Sequence, residues 1–361
     1  MKDYLPLFNT NADYEAYKNN PKKVLLPNVS YVQEDGVCYF NSIPTIYATY
    51  NATSENMLAI NSANYIKSLK IDGTYITTNG RLTKPYYFET EGVHEMEIEF
   101  TDYTIINYMF SNTCITNFSA QHITSIGDFA FQMCKNLSSV DLGNSVTSIG
   151  TGAFSGCSNL TSVIIPDNII NFSSNPFSGC PDLAEFNGQP VLIINNKLIA
   201  FAQASNVTTY AIPEGVTSIG EEAFSNCRSL TSITIPDSVT KIGNRAFSGC
   251  TSLTSITIPD SVTSICYLAF RGCSKLTSVD LGNGVTKIDF EAFYNCESLA
   301  SITIPEGVTT IGESAFQYCA DLYVSTEFIG TYILRPEALP SNILEPPVGG
   351  VVALQYTEVR E

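Results

Sequence analysis

The stretch AFSGCTSLTSITIPDSV, residues 246–262, sets a cysteine three places behind a phenylalanine and follows both with a run of Ser, Thr and Ile. It returns almost unchanged one step up and one step down the chain. The phenylalanines of this signature, Phe131, Phe154 and Phe177, stand 23 residues apart, as do Phe224, Phe247, Phe270, Phe293 and Phe316. Between Phe177 and Phe224 the gap is 47 residues, two periods plus one. A fixed period in the twenties predicts a solenoid, in which each repeat is one coil stacked on the last.

One coil explains its own spelling. In CTSLTSITIPDSVTSI, residues 250–265, the apolar positions are Leu253, Ile256, Ile258, Val262 and Ile265. The step from Ile256 to Ile258 has period two, so it predicts a strand that sends both isoleucines inward and Ser255 and Thr257 outward. Pro259 ends that strand, and Pro259-Asp260-Ser261 is turn chemistry. A second short extended piece runs from Val262 to Ile265. Ala269, Phe270 and Cys273 then close the coil, through one helical or 3₁₀ turn.

The cysteines follow from the stacking: Cys134, Cys157, Cys180, Cys227, Cys250, Cys273, Cys296 and Cys319 each lie three behind a phenylalanine. Equivalent residues on successive coils sit about 4.8 Å apart with parallel Cβ vectors, a poor geometry for a disulfide. The expectation is a reduced packing column. Cys38, Cys114 and Cys266 fall outside the pattern. Cys266 occupies the place of Gly150, Gly220, Gly243 and Gly312, and is the cysteine expected to be exposed.

The pattern C-x-x-L-x-S-I-x-I-P-x-x-V-x-x-I-G-x-x-A-F resembles the BspA-type leucine-rich repeat over residues 105–325. It departs from the commoner leucine-rich repeat, which carries Asn after its strand where this chain has Pro259 and its equivalents. The resemblance implies a bacterial or protist surface protein with a role in adhesion and protein binding.

Composition narrows the partners. The formal net charge of −17 argues against nucleic acid and against an anionic membrane surface. No run approaches the ~18 apolar residues of a membrane span, and MKDYLPLFNTNADYEAYKNN has no apolar core behind a basic start, so it does not read as a secretory signal.

Outside the repeats the chain changes character. Residues 1–44 read as a leader or extended segment, similar to N-terminal leaders of proteins encoded by gut Bacteroides and their phages. Residues 45–104 hold short alternating segments that predict a small immunoglobulin-like β-sandwich, which would also cap the solenoid. Its ending, ETEGVHEMEIEFTD, resembles the closing strand of bacterial immunoglobulin-like modules. Phe110 and Cys114 read as a degenerate first coil. Residues 186–212 fill the double-length gap, with Val191–Ile194 and Leu198–Phe201 flanking Asn195-Asn196-Lys197 as a hairpin in a variant coil, projecting slightly. Residues 326–361 are expected to form a C-terminal cap. The fold class is thus mainly β: a leucine-rich-repeat solenoid of 23-residue coils behind a small sandwich.

No catalytic constellation is found. The two histidines, His94 in EGVHEM and His122 in SAQHITSIG, both read as ordinary surface or turn residues. No C-x-x-C metal spacing, P-loop or G-x-S-x-G is present, so no cofactor and no metal are expected. Asp167, Glu214, Asp237, Asp260 and Glu306 form an acidic column at the turn after the strand, without the density of calcium repeats. The candidate binding surface is the outward strand face: Ser139, Asp141, Ser162, Ile164, Ser232, Thr234, Ser255, Thr257, Ser278, Asp280, Ser301 and Thr303. One reading of these hydroxyls is soluble β-formers that hold a sheet. The other is a broad, low-affinity face for glycan or extended peptide, used many times over.

The expected function is non-enzymatic: an extracellular or surface-displayed binding protein for a protein or glycan on a host or neighbouring cell. The alternative is a structural virion protein, homo-oligomeric if the rod is part of a phage or mobile-element fibre.

Overall fold

The computed structural model describes residues 45–52, 66–77, 91–100, 104–105, 107–172, 174–319 and 322–326. Of 6–8, 29–34, 37–42, 57–58, 77, 86–87 and 323–326 it describes the strand backbone alone. Val29–Glu34 and Val37–Ser42 pair antiparallel. The rest of the expected leader lies outside the described residues, as does the cap expected over 326–361 apart from Thr326, which ends the strand Tyr323–Thr326.

Each coil has three sides. The first carries the strand predicted at Ile256: Ser255–Ile258 pairs in parallel with Ser278–Leu281, which pairs with Ser301–Ile304. Their inward and outward residues alternate, as a period of two requires. The second side is a two-residue strand, such as Lys287–Ile288 on Ser264–Ile265. The third side bears Ala-Phe-x-x-Cys and is not helical. Among the described residues there is no helix at all.

Left-handed residues replace the expected helical turn. Arg245 (φ 53°) and Gly249 (φ 74°) flank Ala246-Phe247-Ser248, and the next coils repeat this at Leu268 and Gly272 and at Glu291 and Asn295. A residue with positive φ breaks a helical run. The backbone then divides its donors. Ala246, Ser248 and Cys250 donate within the coil to Gly243, Arg245 and Phe247 at 3.3, 3.1 and 3.2 Å. Arg245, Phe247 and Gly249 donate onward to Tyr267, Ala269 and Arg271 of the next coil at 2.9, 2.8 and 2.7 Å. This side is therefore knitted between coils as firmly as the strands.

Inside, the phenylalanines form a ladder. Rings from Phe110 to Phe177 and from Phe224 to Phe316 stack with centroids 5.0–5.5 Å apart and interplanar angles of 18° or less. All of the repeat cysteines are buried and free. Phe110 joins the ladder, as the degenerate first coil predicts, but Cys114 does not join the thiol column. Thr113 stands in its place, 2.8 Å from the Phe110 carbonyl and 3.4 Å from Cys134 Sγ.

The N-terminal strands are continuous with the solenoid. One sheet of eight strands runs Glu185–Phe186, Ser162–Ile164, Ser139–Asp141, Ile115–Gln121, Thr45–Ala52, Gly92–Phe100, Ile66–Ile71, Thr74–Thr77. Parallel pairing gives way to antiparallel where Ile115–Gln121 meets Thr45–Ala52. The inward row passes unbroken through the change: Val140 aligns with Phe118, Phe118 with Ala48, Ala48 with Met96 and Met96 with Ile71. The first coil's edge is covered this way, as a capping function requires. Met57–Leu58 and Tyr86–Tyr87 form a separate two-stranded pair. The two facing layers of an immunoglobulin-like sandwich depend on residues outside the described set.

The 186–212 segment interrupts the stack. Val191–Ile194 and Lys197–Phe201 form an antiparallel hairpin whose turn residues, Asn195 and Asn196, have φ of 51° and 61°. Positive φ at both central positions is the turn that matches strand twist. The hairpin does not simply project, because Leu198, Ile199, Ala200 and Phe201 are buried. Phe201 supplies the missing ladder rung, 5.1 Å from Phe224 but tilted by 30°.

Candidate functional site

Every outward residue named from the sequence lies where the alternation puts it. Ser139, Asp141, Ile164, Ser232, Thr234, Ser255, Thr257, Ser278, Asp280, Ser301 and Thr303 are exposed, and Ser162 is half-buried. Parallel register aligns them into two columns: Ser139 with Ser162 and Asp141 with Ile164 in the first sheet, and Ser232, Ser255, Ser278 and Ser301 in the second. The hairpin divides them, because the eight-stranded sheet ends at Glu185–Phe186 and a six-stranded one begins at Thr209–Ala211.

The two panels differ in chemistry. On the N-terminal panel the polar groups bond to one another. Ser139 Oγ donates to Asn117 Oδ1 at 2.6 Å, and Ser119 Oγ to Asp141 Oδ2 at 3.2 Å. Asn117 Nδ2 reaches Thr49 Oγ1 at 3.0 Å, so the face continues onto the cap strands. There Lys70 pairs with Glu97 at 3.0 Å. Sequence reading missed this extension, because nothing in the pattern of Thr45–Ala52 names its partner 67 residues away. On the C-terminal panel, Ser232, Thr234, Ser255, Thr257 and Ser278 are exposed. The hydroxyls one place earlier instead serve the fold: Thr231, Thr254 and Thr277 donate to the carbonyls of Thr208, Thr231 and Thr254 at 2.9, 3.1 and 3.0 Å.

Large side chains of the kind that anchor interfaces lie on the turn side instead. Tyr267 stacks on Phe290 at 5.8 Å with the Arg245 guanidinium 5.2 Å from its ring, and Arg271 lies 5.3 Å from Tyr294, which meets Tyr318 edge-on. Both arginines also face carboxylates, Glu222 at 3.6 Å and Glu291 at 3.4 Å.

The histidines divide. His122 is exposed at a turn, with φ of 58°. His94 is not at a surface turn but within the strand Gly92–Phe100, 8% exposed, its Nδ1 2.7 Å from Asp72 Oδ2. That contact and the Glu95 N–H hold the Asp72 carboxyl below its usual range. The strand already begins at Gly92 and its alternation makes residue 94 inward, so the turn reading of EGVHEM runs three residues into the strand.

Among the described residues no group of three or more His, Cys, Asp or Glu side chains is placed to hold a metal, and no helix is long and apolar enough to cross a membrane. The acidic column Asp167, Glu214, Asp237, Asp260 and Glu306 is exposed; Asp260 Oδ1 accepts the Asn283 N–H at 2.7 Å.

No curated protein matches the chain significantly. Among solved structures, a leucine-rich cell surface protein of Faecalibacterium prausnitzii is 34% identical, with 58% of each chain covered and a TM-score of 0.53. This chain therefore spans less than two thirds of that relative. The pneumococcal vaccine antigen PcpA, at 19% identity, 65% and 64% coverage and a TM-score of 0.56, shares the fold. The family model of the BspA-type leucine-rich repeat region matches residues 81–199 and 193–323. With the coil, its ladder and its strand order in place, the chain belongs to the BspA-type leucine-rich repeat family.

Proposed function

We propose that this is a non-enzymatic binding protein, displayed on a bacterial surface, that recognises a protein or glycan through its outward strand face. The observation that carries the reading is the C-terminal panel, where the exposed Ser232, Ser255, Ser278 and Ser301 align in register beside Thr234 and Thr257. Each contact there is weak, and recurrence along the stack multiplies it. The negative charge of the whole chain disfavours nucleic acid as the partner. The 34% identical surface protein supports surface display.

The test is binding of the purified chain to immobilised host-cell glycans and to whole epithelial cells, compared with the double variant Ser255→Glu, Thr257→Glu. A loss of binding of tenfold or more with an unchanged melting temperature supports the strand face. Equal binding by both proteins removes this face as the site.

A further inference from the structure

Between ordinary neighbouring coils three ladders run together: the first-side strands, the stacked rings and the turn-side backbone bonds. At the hairpin all are interrupted. The first-side sheet stops at Glu185–Phe186 and restarts at Thr209–Ala211, and the second-side sheet stops at Asn171–Phe172 and restarts at Val191–Ile194. Phe177 turns to Phe186 at a tilt of 54° instead of stacking on the next rung. Elsewhere a break affects one ladder alone: the second-side sheet also parts between Lys241–Ile242 and Ser264–Ile265, but there Phe247 and Phe270 stack at 2° and the turn-side bonds persist.

What spans the gap is mainly apolar. The buried core separates into two clusters, and the hairpin belongs to both: Leu192, Ile199, Ala200 and Ala202 pack with the first, Leu198 and Phe201 with the second. The hydrogen bonds across it, among the described residues, are Ala204 N–H to the Leu183 carbonyl at 2.7 Å, Asn175 Nδ2 to Glu222 at 2.9 Å and Asn195 Nδ2 to Ile170 at 3.2 Å. Apolar contact is non-directional, whereas a β-ladder tolerates little misalignment. In a stack whose stability is a sum of coils and nearest-neighbour interfaces, the weakest interface is where cooperativity divides.

We infer that the hairpin Val191–Phe201 is a joint. Among the described residues the chain forms two cooperative stacks, 107–187 together with the N-terminal strands that share its sheet, and 197–326, that unfold separately and tilt against each other without breaking a sheet. The two panels of the outward face are then carried on independently oriented units.

Native-state hydrogen exchange of the full chain through a urea series reads this directly. Peptides from 115–186 and from 209–319 are expected to lose protection at two distinct midpoints. Leu276→Ala should lower the second midpoint and leave the first in place, and Val140→Ala should do the reverse. Ile256→Val, which removes a single methyl group, serves the same purpose if Leu276→Ala prevents the second stack from folding. One common midpoint, moved as a whole by each variant, would overturn the joint.

Discussion

Each repeat cysteine donates its S–H to the carbonyl of the phenylalanine one coil back: Cys250 to Phe224 at 3.0 Å, Cys273 to Phe247 at 3.2 Å, Cys319 to Phe293 at 3.1 Å. The column is a set of small hydrophobes with one weak donor apiece; the accepting carbonyls of Phe224, Phe247 and Phe293 also take the N–H of the cysteine in their own coil. Cys250→Ala removes both the packing and that donor, and should cost about 1–2 kcal/mol by chemical denaturation. Burial pushes Cys134 up to about 11 and Cys250 up to about 12, and raises Cys227 and Cys273 as well. Because these folded values exceed the unfolded value of 9.0, the unfolded chain loses protons first as pH rises. The stability they confer is whole below pH 9 and declines between about 9 and 12. Melting temperatures measured from pH 7 to 11 should be level at first and then fall. In the native state a thiol reagent should reach the half-buried Cys114 and Cys266 well before the column. The period of 23 made the packing role legible. The donor's target was not, because it is a backbone atom 26 residues upstream.

At the scale of the coil, the strand, its proline stop and its inward pair were readable from Ile256, Ile258 and Pro259, since alternation is a property of side chains. The turn side was not. Its left-handed positions are filled by Arg245, Leu268, Glu291 and Ser314 as well as by glycines, so no residue type announces them. The conformation is imposed by stacking, where each carbonyl finds its donor in the preceding coil. Glycine at the end of the second side has a different cause. A Cβ on Gly243 would lie 2.6 Å from the Glu221 nitrogen and 2.7 Å from the Gly220 carbonyl carbon. Gly243→Ala should therefore destabilise by about 2–3 kcal/mol, measured by urea unfolding. Cys266 brings a Cβ to the equivalent place, and the second-side sheet parts at that coil. Cys266→Gly should raise stability by about 0.5–1 kcal/mol, measured by urea unfolding.

At the scale of the whole molecule, repetition declared the solenoid, while the seam with the N-terminal strands was hidden. Alternation in Thr45–Ala52 marks a strand but not its neighbour, and the partner strand Ile115–Gln121 reads equally well as an isolated first coil. Ala48, 5% exposed between Phe118 and Met96, sits at that seam. Ala48→Glu should place an unpaired carboxylate there and lower the thermal stability of the N-terminal stack by about 3 kcal/mol or more, leaving peptides from 209–319 protected.

The equal spacing of ring, thiol and strand has a consequence for inheritance. Removal of residues 247–269 would bring Phe224 against Phe270, two rings that meet their present neighbours in the same way. Near-identical segments in a gene recombine unequally, and here the product of each such event remains a well-packed protein, longer or shorter by about 4.8 Å. Reach is thus a heritable quantity that varies in whole steps, with the chemistry of the remaining coils untouched.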